Sequence, residues 1–294
     1  MLRKKNLVLF ACWVPDDSEN SIQWTDFYYK VASENLAESD IIIAFNDGCS
    51  EKAKEKFLSS KNIISWAEVK KDHVVSSDAS GFQLCLEKCQ NILANYEKVL
   101  FLHTKGVTKS FESYSGFRWL FGNKIMNDIA LNNISSQTPE FLAGIYFHAP
   151  TYGTEVRTYS QLTSDIGFKL PFLFNVTYTI YVTSASVLSR LLLRHGNFIT
   201  KIKIQDKYDR FFFEHFFPSL LVGTGANLMS LDTCKLNPEL NPNLSYNYDL
   251  SHCTKIVMSL YEKWKAGSLS EQFPVPMIFG ELDKVKNLHV RFNI

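Results

Sequence analysis

The groups best suited to chemistry in this 294-residue chain gather in Tyr96-Glu-Lys-Val-Leu-Phe-Leu-His103-Thr104-Lys105-Gly106-Val107. An apolar strand pattern ends abruptly in an imidazole, a hydroxyl, an ammonium and a glycine. In a parallel α/β sheet, ligands bind beyond the carboxyl ends of the strands. A glycine there lets backbone approach a ligand closely. The set suits a diphosphate. A solvated lysine followed by a glycine turn is an equally good account of the same residues.

Other candidates lie nearby in the pattern. Asp47 follows a second apolar run in Phe45-Asn46-Asp47-Gly48. A carboxylate there could meet a base or ribose, although an Asx turn is the favoured reading. Asp78 is read the same way. Cys12 and Trp13 end the first apolar run, where backbone could meet a nucleotide base or simply pack in the core. Phe212, Phe213, Phe216, Phe217, Leu220 and Leu221 form one helical stripe. Glu214 lies off its middle and faces solvent or a cleft. Asp209 and Asp206 precede it as competing carboxylates. The run Gly223-Thr-Gly225-Ala-Asn-Leu228 lacks the third glycine of a dinucleotide loop, and so it is set aside.

Gly81 to Val107 resembles a segment of bacterial and viral GT-A glycosyltransferases related to the rhamnan-synthesis type, where a helix and a strand lead into a His-Thr-Lys-Gly turn. Further segments extend the resemblance from about Leu7 to Leu221. Arg118-Trp119 looks like the family's Trp-Arg region. Phe172-Leu-Phe-Asn175-Val-Thr-Tyr178-Thr-Ile-Tyr181-Val is similar to a strand usually read Phe-x-Gly-Asn-x-Phe-Trp, but lacks its Gly and Trp. Ser184 to Leu192 matches the helix that follows. The resemblance implies a donor site of His103, Thr104, Lys105, Gly106 and Arg118, joined by Asp47, Cys12 and Trp13. It implies acceptor contacts from Asn175 and Tyr178. It also places Glu214, ahead of Asp209, as catalytic base or acceptor ligand.

Sugar transfer from a nucleotide builds negative charge on the leaving diphosphate, and something cationic must stabilise it. Many GT-A enzymes use a divalent metal held by an Asp-x-Asp pair. This chain has no Asp-x-Asp. Lys105, His103 or Arg118 could supply the charge instead, Arg as a bidentate fork. No metal ligand is assigned, and at most partial dependence on Mg²⁺ or Mn²⁺ is expected.

The elements that must position these residues follow from periodicity. Strands are expected at Leu7–Trp13, Asp40–Phe45, Asn62–Ala67, Glu97–His103 and Phe141–Phe147, with a β-rich stretch at Phe172–Val182. Helices are expected at Gln23–Glu38, Glu51–Ser60, Gly81–Tyr96, Tyr114–Asn132, Ser184–His195, Gln205–Leu221 and Ser251–Lys265. His148–Leu170 and Leu236–Tyr248 read as loops. Strand–helix alternation argues for an α/β fold. With the resemblance, it becomes a GT-A-like, Rossmann-type mixed, mostly parallel sheet flanked by helices, with a C-terminal helical extension. A glycosyltransferase domain is placed at 1–235 and the extension, packed on it, at 236–294.

Composition narrows the function classes. The formal net charge is +1 with mixed signs, so no basic face for nucleic acid is expected. The six cysteines show no four-ligand zinc spacing and are read as reduced thiols of a cytoplasmic protein. The basic Met1–Asn6 and apolar Leu7–Val14 run into Pro15-Asp16-Asp17, which suits a buried strand rather than a signal peptide. The stripe Ile256, Val257, Leu260, Tyr261 and Trp264, with Lys255, Lys263 and Lys265, either packs on the main domain or touches the inner face of a membrane; packing is favoured. The expected partners are a nucleotide-sugar donor and a saccharide or glycolipid acceptor. The expected activity is sugar transfer in surface polysaccharide synthesis. A degenerate binding module and a sugar nucleotidyltransferase are the alternatives, the latter lacking a Gly-rich phosphate loop after the first strand.

Overall fold

The computed structural model describes residues 4–70, 78–134, 139–148, 174–201, 212–231 and 246–268. Strands β1 (Lys4–Cys12), β2 (Asp40–Phe45), β3 (Ile63–Glu68), β4 (Tyr96–His103), β5 (Phe141–Gly144), β8 (Tyr181–Ser184) and β9 (Asn227–Ser230) form one seven-stranded sheet. Its order is β3-β2-β1-β4-β8-β5-β9. β8 runs antiparallel to both neighbours; every other pairing is parallel. Two short strands, β6 (Phe147–His148) and β7 (Asn175–Val176), pair beside it. The expected fold class, a mixed and mostly parallel sheet flanked by helices with a C-terminal helix, is the one observed.

Burial explains the central strands. Leu7 to Cys12 are all buried, so both faces of β1 must be covered, as parallel sheets require. Alternation sorts them: Leu7, Leu9 and Ala11 enter one core, and Val8, Phe10 and Cys12 the other. The first core takes α3 (Asp78–Cys89) through Phe82, Cys85, Leu86 and Cys89, and α6 (Ala185–Lys201) through Val187, Leu188 and Leu191. The second takes α1 (Glu19–Lys30) through Trp24 and Tyr28, and α2 (Glu51–Leu58) through Phe57. It also takes α4 (Ser115–Lys124) through Phe117 and Phe121.

Several boundaries differ from the sequence reading. Ser18 caps α1, which therefore starts at Glu19 and gives way to a π-helical turn at Val31–Asn35. The single helix expected over Tyr114–Asn132 is two, because the Asn127 side chain accepts from Ala130 N at 2.7 Å and starts α5 (Asp128–Ile134). In Gln205–Leu221 the described part is a π-helical turn, Phe212–Phe216, and then α7 (Phe217–Gly223). Pro218 explains that break, since proline suits the first turn of a helix and not its interior. The expected Phe stripe is buried throughout. The sequence does not predict β9, which begins inside the incomplete glycine loop.

The last described helix, α8 (Tyr246–Lys265), packs on the sheet edge. Thr254 Oγ1 accepts from Phe147 N at 2.9 Å, and the Tyr261 hydroxyl donates to Asn227 Oδ1 at 3.2 Å. Val257 and Tyr261 join the first core, while Lys255, Lys263 and Lys265 are exposed.

Candidate functional site

β4 delivers His103 to the carboxyl end of the sheet, beside β1, with Ala11 as its partner across the strands. The next residue latches the two strands together. Thr104 Oγ1 donates to Trp13 O at 2.7 Å and accepts from Trp13 N at 2.9 Å. Its hydroxyl is committed in both directions, and so is the backbone of Trp13. Cys12 is fully buried, burial pushes its thiol up, and its carbonyl accepts Asn46 N at 2.8 Å.

The turn continues as packing. Gly106 has φ +92°, a left-handed conformation that favours glycine. A Cβ there would lie 2.8 Å from Trp24 Cη2 and 3.0 Å from Tyr114 Cδ1. The missing side chain thus makes room for Trp24. Helix α1 grips this loop from one face. Tyr28 Oη donates to Lys105 O at 2.8 Å, Trp24 Nε1 to Lys109 O at 3.0 Å, and Asn20 Nδ2 to Lys109 O at 3.1 Å. Residues 20, 24 and 28 share a helix face by their spacing of four. None of the three was singled out in the sequence, although that spacing was the signal available.

Lys105 is the exception in the turn. Its carbonyl is held by Tyr28, yet among the described residues Nζ has no hydrogen-bond or carboxylate partner. It sits 5.0 Å from the centroid of the Tyr178 ring. That is a cation–π contact worth about 0.5–1 kcal/mol where solvent reaches it.

Tyr178 is the hub of the cluster. It and Thr179 have φ +68° and +53°, a conformation uncommon for side-chain-bearing residues and least suited to a β-branched one. Such strain persists only where surrounding contacts over-determine it. Here Tyr178 N donates to Glu214 Oε1 at 3.2 Å, and the Thr179 hydroxyl donates to Glu214 Oε2 at 3.3 Å. Tyr178 O accepts from His103 Nε2 at 2.6 Å. The Tyr178 ring packs on Phe117 and Phe121 of α4. One residue, Tyr178, therefore joins His103 and Lys105 of the turn to Glu214, which lies far from them in sequence.

The other nitrogen of His103, Nδ1, lies 3.3 Å from Asp78 Oδ2 at the start of α3. A carbonyl oxygen can only accept, so Nε2 carries the proton and Nδ1 presents its lone pair when the ring is neutral. Burial pulls the imidazole below its ordinary 6.5; Asp78 opposes this, Lys105 adds to it, and the Tyr178 carbonyl and Glu214 oppose it.

The remaining expected residues stand apart from this hub. Arg118 lies over the Phe111 ring, 3.5 Å from its centroid, and donates to the Phe111 carbonyl. Burial pulls its guanidinium down from the ordinary value. Asp47 sits half-buried in a turn closed by Cys49 N to Asn46 O at 3.1 Å, with Gly48 at φ +73°. The turn exists, but without an Asx bond from Asp47. Asn175 is fully buried, with Nδ2 3.4 Å from His148 Nδ1 and Oδ1 without a partner among the described residues. Asp206 and Asp209 lie outside the described residues. A cavity opens elsewhere, between the C-terminal end of α3 and α6, lined by Gln90, Ser189, His195 and Phe198. It is at the end of the sheet where β4 starts and holds none of the expected site residues.

Among the described residues, no group of three His, Cys, Asp or Glu side chains is disposed to hold a metal ion. Asp78 and His103 engage each other, and Glu214 is engaged by the Tyr178–Thr179 turn. Among the described residues, the donor set does not offer a protein-held site for Mg²⁺ or Mn²⁺. No described helix is long and apolar enough to cross a membrane.

No protein-family model matches the chain, and no curated protein does. Among solved structures it is similar to core-mannan synthase A from Aspergillus fumigatus in a manganese- and GDP-bound form. The identity is 10% over 76% of this chain and 70% of that one, with a TM-score of 0.34. A likeness at that level carries no functional conclusion.

Proposed function

We propose that the chain transfers a sugar from a nucleoside-diphosphate donor to a saccharide or lipid-linked saccharide acceptor, in the synthesis of a surface polysaccharide. The observation that carries this reading is the Lys105 ammonium. It stands at the carboxyl end of a central parallel strand, where such sheets bind ligands. It is held there by a turn whose other groups are engaged in fixing it, and it has no carboxylate partner among the described residues. A fixed cation at that place supports a site for the charge that develops on a departing diphosphate.

In this reading His103, Thr104 and Gly106 shape the donor turn, and Lys105 makes the contact. Arg118 buttresses the turn through Phe111 and Trp24. Asp47 borders the donor site from the end of β2, and Cys12 and Trp13 close it at the end of β1. Tyr178 and Asn175 lie toward the acceptor, and Glu214 or Asp209 supplies a carboxylate on that side. Residues 1–235 form the transferase domain and 236–294 its extension. The exposed lysines of α8 suit peripheral contact with the inner face of a membrane carrying a glycolipid acceptor, in the cytoplasm.

A second reading, a binding module without turnover, is favoured by one observation: Thr104, Trp13 and the Cys12 carbonyl are all engaged within the protein. A panel of nucleotide sugars separates the two. Slow release of nucleoside diphosphate from one donor supports the transferase; binding without release supports the module.

A further inference from the structure

We propose that Asp78 and His103 act together as the proton acceptor for the attacking hydroxyl, a role that rests on the transferase reading above. A sugar hydroxyl is a poor nucleophile and needs a base within hydrogen-bond reach. Glu214 is a weak choice, because its two oxygens accept from Tyr178 N and the Thr179 hydroxyl at 3.2 and 3.3 Å. Both oxygens are thereby engaged in holding the strained Tyr178–Thr179 turn.

The Asp78–His103 pair has the opposite arrangement. The Tyr178 carbonyl fixes the ring with its proton on Nε2, at 2.6 Å. Nδ1 is thereby aimed at Asp78 Oδ2, 3.3 Å away. Two acceptors face each other with no proton between them while the ring is neutral, and a proton arriving on Nδ1 would be held between the two. The notch reaches the surface through Asp78, whose side chain is 29% exposed against 12% for His103. Burial favours the neutral ring, which leaves the lone pair available. A backbone carbonyl orienting one imidazole nitrogen so that the other can work is a recurrent arrangement.

The step balances without a further reactant. The O–H bond of the acceptor breaks and its proton passes to Nδ1, shared with Asp78 Oδ2. The oxygen electron pair forms the bond to the anomeric carbon. The bond from that carbon to the diphosphate oxygen breaks, and its electron pair leaves with the diphosphate beside Lys105. The proton then passes from the pair to water.

The groups facing His103 set the pH dependence: Asp78 from α3, Lys105 from the turn, the Tyr178 carbonyl, and Glu214 from the π-helical turn. Replacing Asp78 by Asn removes a charge that favours the protonated ring. The ring then titrates at lower pH.

The test uses the full chain, Asp78→Asn and Asp78→Glu, with three readouts: calorimetric binding of UDP and GDP, transfer rate against pH, and NMR titration of the His103 ring without substrate. Asp78→Asn is expected to keep nucleoside-diphosphate affinity, to cut transfer by roughly 10²-fold or more, and to move the ring titration to lower pH. Asp78→Glu is expected to recover part of the rate. Transfer by Asp78→Asn at the parent rate, or a ring titration that stays or rises, overturns the proposal. A parent chain that turns over no nucleotide sugar defeats the transferase reading and the proton-acceptor role with it. In that case the NMR shift still decides whether Asp78 and His103 behave as a pair.

Discussion

Replacing Gly106 by Ala should destabilise the fold in two separable ways. The backbone is at φ +92°, where a side chain clashes with its own carbonyl. That costs about 1–2 kcal/mol. The added Cβ would also meet Trp24 Cη2 at 2.8 Å, Trp24 Cζ2 at 2.9 Å and Tyr114 Cδ1 at 3.0 Å. Trp24 cannot give way easily. It is fully buried, bonded to Lys109 O, stacked on Tyr28 and bounded by Phe111 and Tyr114. Overpacking of this kind costs typically about 1–3 kcal/mol more. Gly48→Ala is the control. It too has positive φ, +73°, but nothing within 4 Å of the new Cβ. Both variants stiffen the unfolded chain alike, so that term cancels between them. Urea unfolding followed by tryptophan fluorescence should therefore show Gly106→Ala less stable than Gly48→Ala by about 1–3 kcal/mol. Equal losses would refute the claim that packing against Trp24 fixes the turn.

Three further outcomes follow. Glu214→Leu removes the acceptor of both Tyr178 N and the Thr179 hydroxyl; leaving these donors unsatisfied should cost about 1–3 kcal/mol, and an unchanged unfolding free energy would remove Glu214 from the account of the strained turn. The folded pKa of His103 lies below its ordinary 6.5, so the unfolded chain binds its proton first on acidification. This contribution to stability is complete above 6.5 and is lost as pH falls from there through the folded value; His103→Gln should flatten that slope in denaturation curves, and an identical slope would speak against a buried neutral ring. Transfer assayed in excess chelator should persist at least in part; complete loss, restored by Mg²⁺ or Mn²⁺, would mean that a carboxylate such as Asp47 ligates a metal.

The sheet was legible because strand–helix alternation reports it directly. Buried β1 and β2 read as continuous apolar runs, and β4 ran into its polar turn where expected. Short strands were not legible. β9 spans Asn227–Ser230, with Gly225 at φ +110° just before it, and its pairing with β5 is a tertiary fact. The helix boundaries that moved did so for local reasons present in the sequence: Ser18, Asn127 and Pro218 each marked a start. The site was legible only in part. His103 and Lys105 lie two residues apart where β4 gives way to its turn, so their meeting needs no long-range knowledge. Their contact with Tyr178 and Glu214 depends on two left-handed residues, Tyr178 and Thr179, that nothing in residue type announces. In the sequence Asp78 reads as a turn residue, because its partner, His103, is 25 positions away and only the packing of α3 on β1 brings them together.

The central claim is that Lys105 is the cation kept for a nucleoside diphosphate. Calorimetric titration of the parent chain and Lys105→Ala with UDP and GDP tests it most directly. Losing a charge-assisted hydrogen bond should weaken binding by about 1.5–3 kcal/mol, while the unfolding free energy falls by no more than the cation–π contact, about 0.5–1 kcal/mol, because the Lys105 backbone contacts remain. Equal affinity of parent and variant for the nucleotide they bind would contradict the account.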